Sequence, residues 1–166
     1  MSWESVTAIS EIIGAIAVIV TLIYLARQVA MSNKFAKADA WRSRFSEFTS
    51  LNAAYGVNPI FYHAMNKVYN GGLPPELDKD EESLVNSFLI SALQIYEQLF
   101  REVESDILDP AALDEFPGHS GFNLPFFKAQ WPFYRMILTS AVAEHLEEKY
   151  DLVQRPHVAG SMRGEP

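Results

Sequence analysis

The chain has 166 residues, enough for one domain of ordinary size, and 49% of them are hydrophobic against 20% charged, which excludes a disordered or low-complexity chain. It has no Cys, so a disulfide framework, a Cys nucleophile and thiolate metal sites are excluded. Thirteen Lys and Arg against 21 Asp and Glu give a net charge of −8, which argues against nucleic acid as a partner, because counterion release needs a basic surface.

The first fifty residues carry a net charge of +1, so the acidity lies in the remainder. Within them, Ile12 to Ala26 reads IIGAIAVIVTLIYLA and is apolar except for Gly14 and Thr21. Extended back to Val6, the run is about 31 Å of helix, which matches a hydrocarbon core of about 30 Å. Trp3 and Tyr24 would put one interfacial aromatic at each membrane surface. Arg27, Lys34 and Lys37 follow on the basic flank, which by the positive-inside tendency stays in the cytoplasm and leaves the N-terminus outside. A cleaved signal peptide would want a basic start and a small-residue cleavage site; here the start is MSWES. A buried central helix of a soluble protein would also be apolar all round, but Glu11 argues against it. Residues 1–26 are therefore expected to be a single-pass transmembrane anchor whose partner is membrane lipid.

Within the anchor, Thr7, Ser10, Gly14, Ala17 and Thr21 recur at spacings of 3, 4, 3 and 4 and so share one helix face. Small residues let helix backbones approach closely in lipid, and this stripe is expected to pack against another helix. Glu11 is the one ionisable residue of the span. It is a candidate for a buried carboxylate if the helices associate, and otherwise a partly solvated group near the headgroups.

Residues 27–55 read as a basic amphipathic helix with an apolar stripe at Ala38, Trp41, Phe45 and Phe48; Lys34, Lys37, Arg42 and Arg44 take other faces. It either continues the anchor as one rod or restarts near Ser32-Asn33, where Asn can cap a new helix. Residues 56–153 should form a helical cytoplasmic domain. Asn58 and Pro59 open a short helix to Val68, ended by Asn70-Gly71-Gly72 and a rigid Leu73-Pro74-Pro75 loop. Asp80 is expected to cap the next helix, with Glu81 and Glu82 in its first turn. From Leu84 to Val103 the apolar spacing describes a wide face, so this helix belongs to the core. Asp106 to Asn123 reads as loop with one turn of helix after Asp109-Pro110. Pro125 opens a helix to about Leu138 that Pro132 should kink or restart, and Thr139 or Ser140 caps a last helix to Tyr150. Residues 154–166 carry Pro, Gly and Ser without periodicity and are expected to be a mobile tail. The expected fold is all-α: a single N-terminal transmembrane helix followed by a small cytoplasmic helical bundle.

The start SWE, the run EIIGAIAVIVTLIYLARQ and the segment ALQIYEQLFREVESDILDPAAL resemble a widespread group of small uncharacterised bacterial proteins with one N-terminal membrane helix and a helical cytoplasmic part. Trp131, Arg135 and Ser140 match a later stretch of that group, and the resemblance covers about residues 2–150; Gly118-His119-Ser120-Gly121 departs from it. It implies a fold and a location in the bacterial inner membrane, and no activity.

Catalytic motifs are absent. His63, His119, His145 and His157 have no metal-ligand spacing, and neither HExxH, GxxxxGK[ST], GxGxxG nor GxSxG occurs. No catalytic, cofactor-binding or metal-binding residue is assigned, no cofactor is expected, and the chain does not read as an enzyme. Glu97 is the second candidate for a buried carboxylate, expected to pair with Arg101 or Arg135. The aromatics between Phe116 and Tyr134 are expected to be mostly core. The function these features favour is a membrane-anchored interaction protein: a scaffold or accessory subunit that forms a homo-oligomer or joins a larger membrane complex. A membrane-tethered helical domain that senses a ligand is the alternative.

Overall fold

The computed structural model describes residues 3–152, without the side chains of 4–6. The described residues are helical and contain no strand. Six α-helices follow one another: α1 Trp3–Gly56, α2 Pro59–Tyr69, α3 Lys79–Glu104, α4 Ala111–Glu115, α5 Pro125–Arg135 and α6 Ser140–Tyr150. Short 3₁₀ turns lie at Pro74–Glu76 and His119–Asn123. The chain divides into two compact units between Arg42 and Ser43, and each is treated by itself below. The tail expected from residue 154 lies outside the described residues.

The first unit is helix. No Pro interrupts α1, and around Ser32-Asn33 it is rich in Ala and Lys, both strong helix formers, so the Asn stays in the helix and does not restart it. Every described side chain from Thr7 to Asp39 is exposed. This helix is long and apolar enough to cross a membrane.

The second unit is built around α3. Its predicted apolar face is observed: Val85, Phe88, Leu89, Ala92, Leu93, Tyr96 and Leu99 are buried, while Leu84, Phe100 and Val103 at the margins are half-buried. Phe61, Ala64 and Val68 of α2 and Val142, Ala143 and Leu146 of α6 complete the interior with the aromatics from Phe116 to Tyr134. These aromatics are core as expected, except Phe133, which stays exposed at the surface of α5. Tyr96 meets two of them edge-on, 5.5 Å from Phe116 and 5.3 Å from Phe122 between ring centroids, the separations at which ring quadrupoles attract.

The helix ends follow local chemistry. Asn58 caps α2 as expected, its side chain accepting from the Ile60 N–H at 2.9 Å, with Pro59 at the first position. At the other end the Gly72 N–H reaches the Lys67 carbonyl at 2.9 Å and the Gly71 N–H reaches that of Val68 at 3.1 Å, a Schellman motif. Gly71 takes the left-handed conformation that motif demands, with φ of 89°.

Two expectations are corrected. The cap of α3 is Asp78, not Asp80: its carboxylate accepts from the N–H groups of Asp80 and Glu81, and the Glu81 side chain returns to the Asp78 N–H at 3.0 Å. A reciprocal capping box satisfies more orphan donors than a lone cap two residues later could. The helix α5 stops at Arg135 rather than about Leu138, and Pro132 lies inside it without a restart. Pro132 removes one N–H from the last turn and so shortens the segment that helical bonds can hold. The Arg44 side chain is only 17% exposed and belongs to a polar cluster described below.

Candidate functional site

On the first unit the anchor residues stand on an unburied helix. Thr7, Ser10, Gly14, Ala17 and Thr21 are exposed on one face. The Thr21 hydroxyl donates to the Ala17 carbonyl at 2.8 Å and that of Thr7 to the Trp3 carbonyl at 3.1 Å. Those two hydroxyl protons are thus spent within the helix, and the stripe offers close backbone approach rather than donors to a partner. A Cβ at Gly14 would meet nothing within 4 Å, which leaves the space another helix would enter. Trp3 and Tyr24 are exposed 21 residues apart, and Arg27, Lys34 and Lys37 are exposed on the flank. Glu11 is exposed too; the burial considered from the sequence requires association with another helix.

Glu97, the other candidate, is paired as expected: Arg101 donates to its carboxylate at 3.0 Å, one helical turn away. Arg135 pairs instead with Glu147 at 2.7 Å, where the Trp131 indole N–H also donates at 3.1 Å. The Glu97 side chain is only 14% exposed, so its carboxylate is largely buried beside the more exposed Arg101.

Three polar groupings of the second unit were not foreseen. The first is Glu81, 3% exposed, whose carboxylate takes two hydrogen bonds from the Lys67 ammonium, at 2.6 and 2.8 Å, with His63 at 3.8 Å. Those Lys67 bonds, and then the Asp78 N–H, hold its carboxyl below the usual range. The Asp-x-x-Glu spacing from Asp78 to Glu81 was the signal that could have found it. The second joins Arg44 to Glu47 at 2.6 Å, to Glu102 at 3.2 Å and to Gln98. One guanidinium serves two carboxylates there, which ties the last turns of α1 to α3 within this unit. The third lies in the aromatic core, where the Tyr96 hydroxyl meets Nε2 of His145 at 3.0 Å. Nearby, Lys149 pairs with Asp114 at 2.5 Å and holds the Asp114 carboxyl below its ordinary value. Burial lowers the His145 pKa below its usual value, and the Lys149 ammonium adds to that effect. It pushes the Tyr150 phenol up to about 12. Sequence separations of 35 to 58 residues gave no pattern by which these contacts could be read beforehand.

None of these groupings presents a reacting atom to an open site. Two concavities of the second unit are an open groove of about 390 Å³ beside Trp131, Pro132, Arg135, Glu147 and Leu152, and a tighter one of about 130 Å³ beside Phe48, Met65, Phe88 and Gly118. Neither is lined by Tyr96, His145 or Glu81. The tighter one falls short of the roughly 300–1,000 Å³ of small-molecule sites. Among the described residues no group of three or more His, Asp and Glu is placed to hold a metal ion.

No family model, curated protein or solved structure matches this chain.

Proposed function

We propose that this protein is a membrane-anchored helical scaffold or accessory subunit, which self-associates or docks onto a larger membrane complex and holds its helical domain on the cytoplasmic side of the bacterial inner membrane. One observation carries the reading: among the described residues nothing covers the large apolar side chains from Ile9 to Leu25. A soluble protein's central helix would be covered, and an apolar surface of this size does not persist in water. Lipid accepts such a helix on all faces, and the helix satisfies its own backbone there. Trp3 and Tyr24 fit the two interfaces, and the basic residues from Arg27 to Arg42 fit the cytoplasmic flank. The helical domain supports a binding role better than a chemical one, because Glu81, Arg44 and Tyr96 each find a partner within the fold and none of them lines either concavity.

Fractionation of cells expressing the full chain tests this. The protein should stay with the membranes through high salt and alkaline washing, leave them only in detergent, and show a native mass above that of one chain or carry a partner with it. Recovery in the aqueous fraction without detergent overturns the anchor. A strictly monomeric particle that retains nothing overturns the scaffold.

A further inference from the structure

The spacing of the small stripe is a heptad spacing, and α1 runs unbroken through the first unit, so its register can be followed past the membrane. Thr7, Gly14 and Thr21 occupy a positions; Ser10 and Ala17 occupy d positions. Continuing by alternate steps of 3 and 4 reaches Tyr24, Gln28, Met31, Phe35, Ala38 and Arg42. Beyond the interface the seam therefore holds Met31, Phe35 and Ala38. Met31 is 58% and Phe35 67% exposed, on a stretch that no other described residue covers.

The flanking positions name the occupant. Lys34 precedes Phe35 at g, and Asp39 follows Ala38 at e. They are five residues apart on one helix, so they are not neighbours there, and among the described residues neither makes an ion pair. In a parallel pair of identical helices, g of one chain faces e of the next heptad of the other, so Lys34 meets Asp39 of the second copy, twice by symmetry. An antiparallel pair would set Lys34 against Lys34. The membrane imposes the parallel arrangement, because both N-termini lie on one side, and it raises the effective concentration of one copy for another.

We infer that residues 24–42 form an interaction surface for a second copy of this chain, a short parallel coiled coil that carries the membrane contact into the cytoplasm. Gln28 at an a position sets the register, as polar residues at such positions do, and Arg42 at the last one ends the seam by setting like charges face to face. The inference rests on the membrane anchoring and self-association proposed above.

The test uses the absence of Cys. Full-length chains in their own membranes, each with one introduced Cys, are exposed to a membrane-permeant oxidation catalyst. Met31→Cys, Phe35→Cys and Ala38→Cys should give disulfide-linked dimers several-fold more than Asn33→Cys and Ala40→Cys, which lie on the opposite face. Adding Lys34→Glu or Asp39→Lys to Phe35→Cys should lower the dimer several-fold, and adding both should restore it. Equal yields on both faces, or no restoration by the charge swap, overturn the inference. Dimers at Gly14→Cys without dimers at the seam also overturn it, yet leave self-association in the membrane standing. Absence of dimers at every position, with a monomeric native mass, removes both.

Discussion

Tyr96 and His145, 49 residues apart in the chain, meet in the aromatic core with hydroxyl oxygen and Nε2 3.0 Å from each other. Tyr96 is fully buried there, and Phe100 lies 5.1 Å from the imidazole between ring centroids. With the ring neutral and its proton on Nδ1, the phenol donates to Nε2. A proton on Nε2 reverses that bond and strands the phenol's own proton among Phe116 and Phe122. Lys149 opposes protonation, and Glu148 and Asp114 favour it more weakly. The folded pKa of His145 is below the value of about 6.5 in the unfolded chain. The unfolded state therefore binds more protons in that window, and the stability His145 contributes is complete above about pH 6.5 and lost as pH falls through the folded pKa. Thermal melts between pH 7.5 and 5.5 should show a larger loss in the native chain than in His145→Gln, and an equal loss in both would refute this origin. Tyr96→Phe should cost about 1 kcal/mol at neutral pH.

Asp78 rather than Asp80 holds the start of α3. Asp78→Ala should destabilise the helical domain by about 1 kcal/mol, whereas Asp80→Ala, at an exposed position without capping bonds, should stay within about 0.5 kcal/mol of the native chain. Denaturant midpoints of the two variants check this directly. The reverse order would return the cap to Asp80.

Gly118 is required for space, not for backbone freedom, since its φ of −83° suits any residue. A Cβ there would lie 2.6 Å from Phe116 Cε1 and 2.8 Å from Phe48 Cε2, both on buried rings. Gly118→Ala should cost about 1–3 kcal/mol by overpacking. Gly121→Ala, three residues on and with nothing within 4 Å, should cost far less. Similar unfolding midpoints for the two variants would contradict the packing described.

The membrane reading predicts a sidedness. In intact cells a membrane-impermeant maleimide should label Ser5→Cys at the translocated end, and should label Ser83→Cys, exposed in the second unit, only after lysis. Val18→Arg, at the middle of the span, should lower membrane integration, since a central Arg costs about 2.5–3.5 kcal/mol on insertion scales. Labelling of Ser83→Cys before lysis would reverse the orientation.

The helices and their faces were legible wherever one local pattern decided them. The apolar spacing of Leu84 to Val103 marked the core side of α3, Asn58-Pro59 marked a helix start, and Asn70-Gly71-Gly72 marked a stop. These signals lie within one or two turns, the range over which propensity, capping and periodicity act. Where two local signals competed the reading slipped. Asp78 and Asp80 are both good caps, and only the return bond from Glu81 chooses between them. Asn33 can open a helix, but nothing beyond it stops the one already running.

Composition and order along the chain, taken alone, determined that this protein is helical, that one apolar run near its start, with Glu11 as its single charge, is long enough to cross a bilayer, and that positive charge lies just beyond that run. Those are properties of local segments, set by side-chain chemistry and by the 1.5 Å rise of a helix. Tertiary structure alone decided that Arg44 turns inward to Glu102 and Gln98, that Arg135 takes Glu147 and leaves Glu97 to Arg101, and that Tyr96 finds His145. Each of those long-range choices depends on which helix faces bury together. A charged or polar side chain caught in such a contact must take the partner within hydrogen-bond reach, however far away along the chain it was made.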